Sequence, residues 1–307
     1  MKKEKLVTQK YTALLVLTAF IWGTAFVAQS VGAGFVGAYT FLAFRSWIAI
    51  CFLIPVYYFS KKYFNQDPES FREANEAGIT RMVKDERRNA LIIGSIICGF
   101  FLFSASAVQQ MGIATTTTAK AGFITAMYVV IVPVLSLFAG HRPKKSIWLC
   151  VLMSVVGLYL LCINGPFFLQ RGDSLILVCA FLFALQIMSV NHFVDSVNGI
   201  LLSIGQFAVT AVCATICMFV FETPKAPGIM AAMPSILYAG VLSGGVAYTL
   251  QIICQKKINP TIASIAMCLE SVFSALSGWV ILGQSLSLKE ILGCALMFAA
   301  ILLSQIL

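Results

Sequence analysis

Charge is what this chain lacks most. Only 11% of its 307 residues are Asp, Glu, Lys or Arg, and only 12 are acidic. A soluble domain carries about 25% charged residues, so a water-facing surface cannot be built from this composition. Histidine is nearly missing as well. Its two copies, His141 and His192, sit at the ends of apolar runs without partners. No H-E-x-x-H, G-x-S-x-G, P-loop or dinucleotide fingerprint occurs. No enzyme is expected, and no primary pump, because nothing here would hold a nucleotide. Neither a cofactor nor a metal is expected. The ten cysteines include no C-x-x-C. Cys213 and Cys217 share a helix face, but no third ligand joins them. Buried thiols of this kind behave as small hydrophobes.

What is present is apolar. Hydrophobic residues make up 60% of the chain, and the mean hydropathy is +0.92. Ten runs are long enough to cross a bilayer, at roughly 11–31, 35–59, 90–111, 117–139, 146–163, 174–192, 199–221, 235–254, 261–282 and 288–306. Lipid offers no hydrogen bonds, so each run must satisfy its own backbone as a helix. A barrel would show alternating strands, and none is visible. The expected fold class is an all-α polytopic membrane protein with ten transmembrane helices. Pro234 and Pro260 sit where a helix begins, since a missing N–H costs nothing there. Asp173 is placed to cap the sixth run, and Ser287 with Glu290 has the spacing of a capping box. The first run follows Lys2, Lys3, Lys5 and Lys10, as a signal peptide would. A second span follows at once and no small-residue cleavage site appears, so the first run is expected to remain.

The positive charges give an orientation. With the N-terminus inside, sixteen Lys and Arg residues fall on the inner side and three, Arg171, Lys225 and Lys289, on the outer side. Arg45 and Lys120 lie within spans. Both termini are then cytoplasmic. The net charge of +9 reflects this bias and not a nucleic-acid surface, because no extramembrane domain exists to carry one. Residues 60–89 form the one long loop. Asp67-Pro68 suits a helix start, and Phe71, Ala74, Gly78 and Met82 share a stripe. This segment is read either as a short amphipathic helix on the inner membrane surface or as a solvated loop.

The halves correspond. ALLVLTAFIWGTAF at 13–26 pairs with SLILVCAFLFALQI at 174–187, and TTAKAGFITAMYVVIVPVLSLFAGH at 117–141 pairs with PTIASIAMCLESVFSALSGWVILGQ at 260–284. A repeated unit of five helices enters the membrane from opposite sides, so residues 11–163 and 174–307 are expected to be two inverted five-helix repeats. In such plans the site lies near the midplane between the repeats. FIWGTAF, AKAGFITAMYVVIVPVLSLFAGHRP and SIAMCLESVFSALSGWVILGQSLSLKEILGCALMFAAILL carry a likeness to a known family. On these motifs the chain resembles the EamA-type transporters of the drug/metabolite transporter superfamily, over about residues 10–306. It departs from many relatives in having Gln284 where they have an acidic residue. The resemblance implies a bacterial inner-membrane carrier, an exporter, with a central cavity lined by helices 1, 3, 4, 6, 8 and 9. It does not specify the substrate, since the superfamily moves amino acids, purines, sugars, nucleotide-sugars and drugs.

A charge at mid-depth costs about 2.5–3.5 kcal/mol on insertion scales, so each needs a reason. Arg45, Lys120 and Glu270 qualify. Glu270 and Lys120 are either a binding site suited to an anionic group or a structural staple between helices. Arg45 is expected to be structural, because the resemblance puts helix 2 outside the cavity. Around the charges, polar and aromatic residues recur at helical spacing. Trp22, Phe26 and Gln29 lie on helix 1, Phe103, Ser106 and Gln110 on helix 3, and Phe183 with Gln186 on helix 6. Tyr248 and Gln251 lie on helix 8, and Glu270 and Ser274 on helix 9. A Gln facing lipid would leave its amide unpaired, so each faces protein or water. As a substrate set they suit a small amphipathic solute; otherwise they are interhelical packing. Gly244-Gly245 is read as a packing feature first, with a hinge as the other reading. Energy for a secondary carrier must come from a proton or other solute gradient, for which Glu270 is the coupling candidate. The other class of reading is a membrane sensor or assembly factor on a transporter fold.

Overall fold

Every described element is a helix, as a chain without water to satisfy its backbone requires. The computed structural model describes residues 2–64, 80–115, 118–140, 143–162, 171–282 and 287–304. The first three helices are α1 (Lys2–Ala33), α2 (Ala38–Phe64) and α3 (Thr80–Ile113). Two pieces, Thr118–Thr125 and Tyr128–Phe138, make α4. Then follow α5 (Lys145–Cys162), α6 (Arg171–Phe193) and α7 (Gly199–Phe221). Three pieces make α8: Ala226–Leu237, a π-helical stretch Tyr238–Ala247, and Tyr248–Gln255. The chain ends with α9, broken into Pro260–Met267 and Glu270–Leu282, and α10 (Leu288–Ser304).

Eight of these ten helices are long and apolar enough to cross a membrane, where ten were expected. The two that fall short are α5, with an apolar stretch of Lys145–Leu160, and the 17-residue α10. At 1.5 Å per residue a 17-residue helix spans about 26 Å, less than the hydrocarbon thickness of about 30 Å. Phe219, Phe221, Val280 and Leu302 are exposed on the outside of the bundle, which suits lipid and not water.

Several boundaries differ from the sequence reading. Thr80–Asn89 does not belong to a loop but forms the first turns of α3, held in part by Asp85 and Arg88 one turn apart at 3.6 Å. The proposed surface helix from Asp67 lies outside the described residues. Pro234 does not start α8, which begins at Ala226 with Pro227 in its first turn. Pro234 is internal, and a proline there removes a backbone hydrogen bond and strains the preceding turn. The π-helical stretch opens four residues later. Asp173 lies inside the first turn of α6, which starts at Arg171, and not before it. The Asn259 side chain caps Pro260–Met267 by accepting from Thr261 N at 2.9 Å. The capping box is present: Ser287 N donates to Glu290 Oε2 at 2.6 Å, and Glu290 N donates to Ser287 Oγ at 3.3 Å.

The contacts between helices have an exchange pattern. The pairs α2–α7, α4–α9 and α5–α10 each join one helix to its counterpart five places on. The remaining large contacts come in partners: α3–α6 with α1–α8, α3–α7 with α2–α8, and α1–α9 with α4–α6. The counterparts run antiparallel. Tyr39 and Thr40 on α2 meet Glu222 just after α7, whereas Trp47 further along α2 meets Thr215 further back. Likewise the first piece of α4 packs on the second piece of α9, and the second on the first. The two breaks, at Ala126–Met127 and Cys268–Leu269, fall within about one residue of each other in the paired segments. Beside them Ser271 Oγ of α9 donates to Gly122 O of α4 at 2.8 Å.

Candidate functional site

A narrow central cavity lies where both helix breaks meet. Tyr128 and Glu270, each the first residue of the second piece of a broken helix, face it together with Thr125. Trp22, Phe26 and Gln29 enter from α1, and Phe183, Gln186 and Ile187 from α6. Ser243, in the π-helical stretch, and Tyr248 and Gln251 enter from α8. Gln109 of α3 and Arg45 of α2 complete the wall. The free space is about 30 Å³, more than the ~10–15 Å³ that one water needs.

The rings form one wall. Trp22 and Tyr248 lie 4.8 Å apart between centroids, and Tyr248 meets Phe207 edge-on at 5.5 Å. The amides form another. Gln251 Nε2 donates to Gln186 Oε1 at 3.2 Å, and Gln186 Nε2 donates to Gln206 Oε1 at 3.1 Å. This chain holds Gln251 while leaving its Oε1 without a protein partner. Trp22 Nε1, Gln29 Oε1, Tyr128 OH and Glu270 Oε1 are also buried and unpartnered among the described residues. A buried polar group left unpaired costs about 1–3 kcal/mol. Five such groups facing one cavity make it a polar surface inside an apolar bundle.

Arg45 was expected outside the cavity, and the structure brings it in. The cause is close packing of α2 against the π-helical stretch. A Cβ built on Gly240 would lie 2.7 Å from Ile48 Cγ2 and 2.8 Å from Arg45 O, and one on Gly244 would lie 3.0 Å from Ala49 Cβ. Bare backbone at these positions lets α2 approach, and Arg45 reaches past it. Arg45 is 6% exposed, and its guanidinium forms no ion pair or hydrogen bond with a described residue. The spacing Gly240, Gly244, Gly245 was the signal in the sequence.

Four expected site residues stand elsewhere or outside the described set. Gln110 is buried but turned away, its Nε2 donating to Gln29 O at 3.1 Å. Its neighbour Gln109 faces the cavity instead, since adjacent residues on a helix point about 100° apart. Phe103 stacks on Tyr39 at 6.5 Å in a cluster between α2, α3 and α7. Ser274 is buried at the joint of α1, α4 and α9, beside Gly23 and Gly122. The side chain of Lys120 lies outside the described residues, and its pairing with Glu270 with it. No cluster of three or more metal-ligating side chains occurs among the described residues.

One polar joint went unread in the sequence. The Glu222 carboxylate accepts from Tyr39 N at 2.9 Å, Thr40 N at 2.8 Å and Thr40 Oγ1 at 2.6 Å. It thus caps the start of α2 from the far end of α7. A Cβ on Gly37 would overlap that carboxylate.

The family comparison places this helical bundle among membrane transporters. The model of the EamA-like transporter family matches residues 9–163 and again 170–305. The chain belongs to that family, whose members are transporters and not enzymes. It is 26% identical over 292 residues to an uncharacterized transporter of Archaeoglobus fulgidus, covering 94% of this chain and 83% of that protein. A solved crystal structure superposes with a TM-score of 0.73 over 97% of both chains, at 18% identity. At that identity the likeness concerns the fold alone.

Proposed function

We propose that this protein is a secondary transporter that moves a small organic solute by alternating access around the central cavity. The observation that carries this reading is the set of five buried, unpartnered polar atoms around one cavity at two matching helix breaks. A protein that merely scaffolds would pair these groups with one another. Broken helices at the midplane are how carriers free backbone and side-chain groups for a solute.

In this reading all ten helices cross the membrane, α5 and α10 as short spans, and residues 11–163 and 174–307 are inverted repeats. Support comes from the exchange pattern of helix contacts and from the antiparallel run of α2 against α7 and α4 against α9. Counterparts that run antiparallel are related by an axis in the membrane plane. The charge bias supports both termini on the cytoplasmic side, and the resemblance to EamA-type carriers supports a bacterial inner membrane with export as the working direction. The site comprises Trp22, Phe26, Gln29, Arg45, Gln186, Tyr248, Gln251 and Glu270, with Glu270 the candidate for coupling to a proton or other solute gradient.

The test is counterflow into proteoliposomes of the purified chain, against a panel of amino acids, purines, sugars and nucleotide-sugars. Accumulation of one class, abolished by Gln251→Ala, is expected. A protein that binds a panel member without moving it is a sensor, and this reading then fails.

A further inference from the structure

The same hydrogen bond occurs twice at the edge of the cavity. Gln110 Nε2 of α3 donates to Gln29 O of α1 at 3.1 Å, and Gln255 Nε2 of α8 donates to Ile187 O of α6, also at 3.1 Å. Helices α6 and α8 stand five places after α1 and α3, so the two bonds join matching pairs. In each pair the acceptor belongs to a residue of the cavity wall, Gln29 in one half and Ile187 in the other. The donors are buried, Gln110 at 2% exposed and Gln255 at 3%. Gln29 and Gln110 lie near the C-terminal ends of α1 and α3, and Gln255 is the last residue of α8. In the inverted arrangement proposed above, these ends are on opposite sides of the membrane.

We propose that Gln110 and Gln255 are the latches of two gates. Gln110 closes the outer end of the cavity and Gln255 the inner end, and one releases while the other holds. This rests on the transporter reading and topology above and names their gating residues. The bonds are easily released. Each acceptor carbonyl lies inside a helix, where the N–H four residues on continues to satisfy it when the amide leaves. Each amide is held at Nε2 alone, because Oε1 of both side chains has no partner among the described residues. Water entering an opened end takes over the released N–H groups. Opening one end therefore gives up about one net hydrogen bond. The Glu222 joint is of another kind, since one carboxylate accepts three bonds there, two of them from backbone N–H groups. Three bonds to an anion make a fixed joint, whereas a single amide makes a latch. Both latches are made here, so both ends of the cavity are shut.

The test puts Ser243→Cys in the cavity wall of the full chain. Labelling of residue 243 by a small impermeant thiol reagent is timed in right-side-out and in inverted membrane vesicles. Gln110→Met and Gln255→Met remove the donors while nearly keeping side-chain length and volume. Gln110→Met is expected to raise the ratio of outer to inner labelling rates by about threefold or more, and Gln255→Met to lower it as far, one net hydrogen bond being worth about 2- to 12-fold. The double variant is expected to return to within about twofold of the starting ratio, since the two sites are separate. Gln110→Asn and Gln255→Asn keep the amide but shorten its reach. They are expected to move the ratio in the same directions, and they decide the matter if a methionine variant does not fold. A merely structural pair of bonds would lower stability without tilting the ratio. Ratios that stay unchanged, or that move the same way in both single variants, overturn the inference while the transporter reading stands. Labelling from one face alone in every protein, or from neither, overturns both.

Discussion

Two glycines face Ser274 from different helices, and they should respond oppositely to the same substitution. A Cβ on Gly23 of α1 would lie 2.5 Å from Phe273 Cβ, 2.6 Å from Glu270 O and 2.8 Å from Ser274 N. Ordinary van der Waals contact begins at 3.4 Å, so α1 must retreat from α9 by about 0.6–0.9 Å. Two of the three neighbours are backbone atoms and cannot rotate away. Overpacking of this kind costs about 1–3 kcal/mol, partly offset by about 1 kcal/mol from the better helix propensity of Ala. The net loss of up to about 2 kcal/mol lowers the population of the packed state by a factor of up to about 30. A Cβ on Gly122 of α4, by contrast, finds its nearest atoms at 3.6 Å, and only the propensity gain remains. Gly23→Ala is expected to lower the temperature at which detergent-solubilised protein loses its monodisperse peak, and to slow transport by an order of magnitude, because Trp22 and Glu270 flank the displaced joint. Gly122→Ala is expected to leave both unchanged or raise stability. Equal behaviour of the two variants would refute the packing argument.

Three further outcomes follow from the same structure. Glu222→Ala strips three hydrogen bonds from the start of α2 and is expected to cost about 0.5–2 kcal/mol, the range for a lost helix cap; thermal stability equal to that of the native protein would show that the joint contributes nothing. Glu270→Gln is expected to flatten the pH dependence of transport, leaving Arg45, Tyr128, Tyr248, Cys179 and Cys268 as the ionisable groups around the site among the described residues; an unchanged profile removes Glu270 as the coupling group. Cysteines introduced between α2 and α3, within 65–79, and between α5 and α6, within 163–170, are expected to label from opposite faces, the first from the cytoplasm, and labelling of both from one face overturns the topology.

Much of the cavity was legible because amides are expensive in lipid. Gln29, Gln186 and Gln251 stood out within apolar runs, and each meets the cavity. The ring residues Trp22, Phe26 and Tyr248 followed from spacing along the same faces. Arg45 was visible as a charge in a span, yet its side of the bundle depends on how near α2 comes to α8. That is a property of Gly240, Gly244 and Gly245 on a different helix. The breaks in α4 and α9 left no local mark, since Ala126, Met127, Cys268 and Leu269 are not helix breakers. They arise where counterpart helices cross. Glu222 was unreadable for a similar reason, because it caps a helix that lies more than 180 residues earlier in the chain.

The central claim is that one cavity opens in turn to the two sides of the membrane. Ser243→Cys places a thiol in the cavity wall with little change in size, and a small impermeant thiol reagent, located by mass spectrometry, reports its access from each face. Alternating access predicts labelling from either face, slowed from both by the transported solute. Labelling from a single face under every condition, or from neither, would contradict it.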